Sequence, residues 1–175
     1  MWDFVNSNVP GASERDLRYW RDVGTLDAYY DAHMDLISVD PSFNLYNSEW
    51  PILTWPEQLP PAKFVFDDDD RRGRAIDSMV SGGCIVSGSS VKNSLLFSSV
   101  RVHDYSVVEH SVVLPRVRIG EHCVVRRAIV DEGAVIPDGL QIGVDPVADA
   151  ERFFVTERGV VLVTSAMLKN LGRSA

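Results

Sequence analysis

The stretch VRVHDYSVVEHSVVLPR, residues 100–116, runs straight into VRIGEHCVVRRAIVDEG, residues 117–133, and the two share one outline. In and around them aliphatic residues fall at Met79, Ile85, Val91, Leu96, Val102, Val108, Val113, Ile119, Val125, Val130, Ile136 and Ile142. The intervals cycle through 6, 6 and 5, a repeat of 17 residues that puts Ile85, Val102, Ile119 and Ile136 in one phase. Two residues earlier the chain is mostly small, as at Gly83, Ser89, Ser94, Ser106, Ser111, Cys123, Ala128 and Ala134. Neither the 3.6 period of a helix nor the 2 of a simple strand governs this pattern. Three short segments per 17 residues describe a triangular coil: each side is a strand, the aliphatic residue fills the interior and the small residue turns the corner. Coils stack at the sheet spacing of about 4.8 Å, so roughly four make a prism near 20 Å long. The fold class read from this is mainly β: a three-sided parallel β-helix, a solenoid of hexapeptide phrasing. That phrasing is the left-handed form, an exception to the right-handed crossover rule.

On the N-terminal side, Trp2 and Phe4 alternate like a strand, and Val9-Pro10-Gly11 reads as a turn. Thr25 is placed to cap a helix over 26–37, whose apolar face is Leu26, Tyr29, Tyr30, His33, Met34 and Ile37. That helix ends before Pro41. Pro41, Pro51, Pro56, Pro60 and Pro61, with Trp50 and Trp55 among them, predict an extended connector laid over a surface. The run Asp67-Asp68-Asp69-Asp70-Arg71-Arg72 reads as a solvated loop. Beyond Gly143 the period stops; 153–156 and 160–163 predict a hairpin around Glu157-Arg158-Gly159. Thr164 or Ser165 then caps a short helix over 166–171, closed by Gly172, as a cap for the open end.

Composition narrows the classes. At 175 residues with 45% apolar content the chain can bury a core, and no run of 18 apolar residues spans a membrane. A net charge of −8 gives no global attraction to nucleic acid or anionic lipid, so neither is an expected partner, although a local basic patch suits a phosphorylated metabolite. Two cysteines make no disulfide framework, and a cytoplasmic setting is expected.

Few residues declare chemistry. His103, His110 and His122 are candidates for a hexapeptide acyltransferase base, but spacing fixes no partner for them, and Cys123 stands at a packed corner. A sharper constellation is Tyr19-Trp20-Arg21-Asp22-Val23-Gly24-Thr25. Trp20 and Asp22 lie on one face of an extended segment, offering a flat wall for a sugar and a carboxylate suited to Mg²⁺, or else a structural Trp and a salt-bridged Asp.

That heptapeptide resembles the W-x-D-x-G-T motif of sugar-nucleotide pyrophosphorylases. With Trp50-Pro51-Ile52, Leu59-Pro60-Pro61-Ala62-Lys63-Phe64, Ser78 to Cys84 and Gly159 to Thr164, it makes residues 3–172 similar to the C-terminal part of bacterial glucose-1-phosphate adenylyltransferases. The resemblance implies the reaction ATP + glucose 1-phosphate → ADP-glucose + pyrophosphate in glycogen synthesis, with Asp22 as a Mg²⁺ ligand and Trp20 beside the glucose 1-phosphate. It implies a homotetramer controlled by an anionic metabolite effector, with Gly82, Gly83 and Lys169 as effector residues. Ser165 and Glu132 depart from arginines of the enterobacterial members; Arg126 and Arg127 offer other positive charge. No Gly-rich phosphate loop is present in these residues, so the chain alone is expected to be inactive.

The organisation expected is a strand and helix remnant of an α/β nucleotidyltransferase domain at 1–40, a proline-rich connector at 41–75, the β-helix at 76–146, and a hairpin with capping helix at 147–175. A free-standing assembly or regulatory module is the alternative, and a hexapeptide acyltransferase a weaker one. If 1–40 is such a remnant, it is expected to be loosely ordered or covered by self-association while 79–142 stays ordered. Amide exchange with equal protection across both regions in a verified monomer would contradict this.

Overall fold

The computed structural model describes residues 9–13, 19–55 and 57–171. The strand signal at Trp2 and Phe4, and Gly172, lie outside them. The chain divides into two compact units, residues 1–58 and 59–175.

In the first unit Val9-Pro10-Gly11 does turn: the Ala12 amide donates to the Val9 carbonyl at 3.2 Å, with Gly11 at φ +68°. Pro then Gly at the two central positions is the residue order a type II turn requires. Helix α1 (Leu26–Leu36) starts where expected, because Thr25 is extended and its Oγ1 accepts the Ala28 amide at 3.1 Å. After the helix, Asp35 holds Ser42 through both its amide (3.1 Å) and its hydroxyl (3.2 Å), which fixes the direction in which the chain leaves.

The second unit is the solenoid. Its first rung is β1 (Lys63–Val65), β2 (Arg74–Ile76) and β3 (Met79–Val80), and its second β4 (Ile85–Ser87), β5 (Ser90–Lys92) and β6 (Leu95–Leu96). The third is β7 (Arg101–Val102), β8 (Val107–Glu109) and β9 (Val112–Val113), the fourth β10 (Arg118–Ile119), β11 (Val124–Arg126) and β12 (Ala128–Val130). Then come β13 (Val135–Ile136), β14 (Gln141–Ile142), α2 (Pro146–Arg152), β15 (Phe154–Val155), β16 (Val161–Val163) and α3 (Ser165–Leu171). The strands stack into three parallel sheets, β1-β4-β7-β10-β13, β2-β5-β8-β11-β14 and β3-β6-β9-β12-β16, with β15 antiparallel on β16. The chain is therefore a three-sided parallel β-solenoid, as the 17-residue repeat predicts.

Two differences from the expected layout have physical causes. The ladder begins at Lys63 rather than at 76, because β1 and β2 pair in register with β4 and β5 and take over the end of the predicted connector. Rung one and the first strand of rung two are also out of the 17-residue phase. Val86, not Ile85, faces Val102, and Val80, not Met79, lies in register with Leu96. The corner at Gly88, with φ +48°, is one residue shorter than the corresponding corner at Tyr105. Side chains alternate along a strand, so this one-residue slip turns Ile85 outward and Val86 into the core.

At two of the three corners the small residues do more than save space. The buried Ser106 amide has left the strand ladder and donates instead to Ser89 Oγ at 2.8 Å; the Cys123 amide does the same to Ser106 Oγ at 2.9 Å. Ser106 Oγ in turn donates to the Gly120 carbonyl at 2.7 Å. A second column repeats the device, with Ser94, Ser111 and Ala128 amides donating to Ser78, Ser94 and Ser111 Oγ. The third corner is apolar, built from Cys84, Val100, Val117 and Ala134, all buried.

The fifth rung is completed late in the chain. After β14 the chain leaves through α2, which the sequence reading did not anticipate: Asp145 accepts the Val147 and Ala148 amides and Pro146 opens the helix. The expected hairpin then returns β16 into register with β12, Val163 beside Val130. Phe153, Met167, Leu168 and Leu171 pack on the core at this end. Helix α3 is capped by Thr164, whose Oγ1 accepts the Met167 amide at 3.3 Å.

Ser106→Ala should lower stability by about 1–3 kcal/mol, because it strands the buried Cys123 amide and Gly120 carbonyl. Ile119→Ala, in the middle of the prism, should cost about 2–5 kcal/mol, whereas Val135→Ala on the exposed face should stay within about 0.5 kcal/mol. Urea midpoints at unchanged m-value are the readout.

Candidate functional site

The sequence-predicted residues fall in both units. In the first, Trp20 and Asp22 alternate with Arg21 along the segment entering α1. Arg21 turns onto the helix, donating to the Asp31 carbonyl at 3.2 Å and lying 3.9 Å from Asp35. Trp20, 71% exposed, and Asp22 are left facing solvent. Tyr19 anchors the segment from the other side by stacking on Phe43, ring centroids 5.1 Å apart. One Asp22 oxygen, Oδ1, accepts the Gly24 amide at 2.9 Å, which holds the turn into the helix, and Oδ2 makes no hydrogen bond or ion pair with the described residues. No group of three metal-binding side chains occurs among the described residues. Among the described residues Asp22 is thus a lone exposed carboxylate and makes no metal site by itself.

In the second unit Gly82 and Gly83 form a corner between β3 and β4. The Gly83 amide, expected to be open to an effector, donates to the Pro60 carbonyl at 2.6 Å. A side chain at Gly83, φ +75°, would meet Ser99 Oγ at 2.9 Å, and one at Gly82 would meet Leu59 Cβ and the Pro60 carbonyl at 3.3 Å. The glycines are explained by the Leu59–Pro60 segment crossing this corner closely. Gly83, Ser99, Arg116 and Gly133 share one corner column, all at positive φ. Lys169, exposed on α3, lines a concavity of about 580 Å³ with Gly133, Val135, Pro137, Leu140, Ser165, Leu168 and Leu171. Gly83 and Gly133 are three rungs apart, about 14 Å by the strand spacing, so the glycine pair and Lys169 stand toward opposite ends of one corner. Glu132, beside that concavity in sequence, is ion-paired to Arg116 of the rung below.

The histidines occupy surface roles. His110 and His122 sit at corners with φ +47° and +55°, and His122 stacks on Tyr105 one rung away, 4.9 Å between centroids. His103 is exposed, and Arg126 pairs with Glu109 at 2.9 Å. Arg127 donates to the Arg158 carbonyl at 3.0 Å.

Comparison with known proteins gives these positions a context. A family model described as GlmU-like, C-terminal hexapeptide, matches residues 60–163. The chain is 62% identical to the glucose-1-phosphate adenylyltransferase of Methylobacillus flagellatus over 94% of its own length and 38% of the relative's. It is 61% identical to that of Nitrosospira multiformis over 86% of this chain and 35% of the relative, and 58% identical to that of Paramagnetospirillum magneticum over 97% and 39%. It thus spans less than half the length of these relatives, in their C-terminal part.

Cys84 and Cys123 are buried, with Sγ donating to the Phe97 carbonyl at 2.9 Å and the Pro137 carbonyl at 3.1 Å. Burial raises both thiol pKa values, which makes them packing groups and not nucleophiles. Above the ordinary thiol pKa the unfolded chain releases protons that the folded chain retains. Stability should therefore fall as pH rises through that range toward the raised native values. A Cys84→Ala/Cys123→Ala variant should lose that alkaline slope in urea titrations, even if it is less stable at every pH.

Proposed function

Because the chain belongs to the GlmU-like C-terminal hexapeptide family and matches the C-terminal part of glucose-1-phosphate adenylyltransferases, we propose that it works as that part of such a nucleotidyltransferase. The reaction is ATP + glucose 1-phosphate → ADP-glucose + pyrophosphate, feeding bacterial glycogen synthesis. The observation that carries this reading is 62% identity running through 94% of the chain, both units included.

Within that reading the first unit contributes to the sugar phosphate site. The Trp20 ring, held outward by the Arg21 and Tyr19 anchors, forms a flat wall for the glucose ring. Asp22 offers one carboxylate oxygen. Mg²⁺ takes about six oxygens and keeps several waters, so one protein carboxylate with substrate phosphates and further ligands fits its habits. The described residues do not complete that set, and this chain supplies one ligand to it. The metal's contribution would be to neutralise charge on the transferring phosphoryl group.

The solenoid serves assembly, as a homotetramer, and regulation by an anionic metabolite. Lys169 at the rim of its concavity supplies positive charge for such an effector. Gly82 and Gly83 enter this reading through the close Leu59–Pro60 crossing, since the Gly83 amide is already engaged. A cytoplasmic location fits, and no described helix is long and apolar enough to cross a membrane.

Alone, the chain should release no pyrophosphate from ATP and glucose 1-phosphate, having no Gly-rich phosphate loop. Joined behind the N-terminal part of the Methylobacillus flagellatus relative, it should restore turnover. In that joined enzyme Asp22→Asn should lower kcat by about 10²-fold or more, and Trp20→Ala should raise KM for glucose 1-phosphate by about tenfold. Turnover by the isolated chain, or an Asp22→Asn enzyme of full activity, would refute the assignment.

A further inference from the structure

The three outer faces of the solenoid treat charge differently. On the second sheet Lys92, Glu109 and Arg126 stand in register on successive rungs, signs alternating, with Arg126 Nε donating to Glu109 at 2.9 Å. On the third the row turned away from the interior is apolar, Met79, Leu95, Val112, Ile129 and Leu162, and Leu95, Val112 and Ile129 in it are buried. On the first the row is Lys63, Ile85, Arg101, Arg118 and Val135. Arg101 and Arg118 are direct neighbours there, and Lys63 lies two rungs before Arg101. All three cations are exposed, and with the described residues none of their side chains makes a hydrogen bond or ion pair, their backbone amides being spent in the sheet ladder.

Like charges directly opposite on neighbouring strands repel, so an unrelieved Arg–Arg pair is a local cost that no folded-state contact offsets. Of the column of acids Asp104, Glu121 and Asp138, three residues beyond Arg101, Arg118 and Val135, the exposed Glu121 carboxylate contacts neither arginine, and the other two are committed elsewhere. Asp104 is held by Ser87 and, at 3.5 Å, by Arg71, and Asp138 accepts the Glu121 amide at 2.8 Å. Two guanidinium forks one strand spacing apart, about 4.8 Å at the backbone, match the oxygen-rich, doubly charged face of one phosphoryl group. Bridging by such a group turns the repulsion into two attractions.

We propose that the outer face of the first sheet, at Arg101 and Arg118 with Lys63 flanking, is a binding site for phosphoryl groups. The site takes a phosphate dianion between the two arginines, and Lys63, two rungs away, favours ligands with a second anionic group. It lies on the flat of the sheet, two residues beyond the corner column of Gly83, Ser99 and Arg116. It is independent of the nucleotidyltransferase reading.

The test titrates the 175-residue chain with inorganic phosphate and with pyrophosphate, at ionic strength matched by sodium chloride, following backbone and arginine side-chain NMR signals. Shifts should concentrate at Arg101, Val102, Arg118 and Ile119, with pyrophosphate binding more tightly than phosphate and a Kd near or below about 1 mM. Arg101→Gln/Arg118→Gln should weaken pyrophosphate binding by about tenfold or more, while Lys92→Gln on the second sheet should change it less than twofold. Arg101→Lys/Arg118→Lys, which keeps charge but loses the forks, should fall between. Shifts equal to those from chloride, shifts centred elsewhere, or binding of polyglutamate without binding of pyrophosphate would each overturn the proposal. The wild-type shift map decides even if the double variant folds poorly.

Discussion

Each rung of the prism turns three corners, and at two of them a buried amide points away from the strands above and below it. A buried amide without a partner costs roughly as much as a lost hydrogen bond. Here the serine of the preceding rung supplies the acceptor: Ser89 to Ser106, Ser106 to Cys123, Ser94 to Ser111, and Ser111 to Ala128. Because each bond joins residues 17 apart, satisfying the amide and fixing the register are one event. Aliphatic stacking alone would tolerate a slide along a row of valines; the hydroxyl columns would not.

Register in turn decides what the surface carries. Residues 17 apart become neighbours one strand spacing away, so single outward positions on successive rungs add up to rows: alternating charge on one sheet, a largely buried apolar row on another, and exposed cations on the remaining one. The acidity of the chain is unevenly held. Residues 1–58 contain ten of its 25 acids but only three of its 17 bases, which leaves the solenoid unit close to neutral. A bulk net charge of −8 therefore says little about the solenoid's faces, and a cationic row there is compatible with it.

How much was legible follows from these same particulars. The interior from Val91 to Ile142 could be read directly, because each rung there keeps the 6, 6, 5 spacing and one aliphatic residue per side is unavoidable. Ile85 was misplaced because Val86 beside it is equally aliphatic, and only the short Gly88 corner decides between them. Strands β1 and β2 escaped notice since one rung flanked by prolines and four aspartates has no repeat of its own. Helix α2 had a signal, Asp145 before Pro146, hidden by the end of the periodic stretch. At the site, the Trp20–Asp22 alternation and the Thr25 cap were readable from local chemistry. The use of the Gly83 amide by Pro60 was not, as it depends on a crossing segment 23 residues earlier. The Arg101–Arg118 pairing is invisible until register makes neighbours of them.

The central claim is that serine hydroxyls of one rung hold the corner amides of the next, and amide hydrogen exchange measures it residue by residue. The amides of Ser106, Ser111 and Cys123 should exchange as slowly as strand amides such as Val107 and Val124, and their protection should fall together when stability is lowered. Exchange at those three as fast as at the exposed Tyr46 and Glu49 would contradict the account.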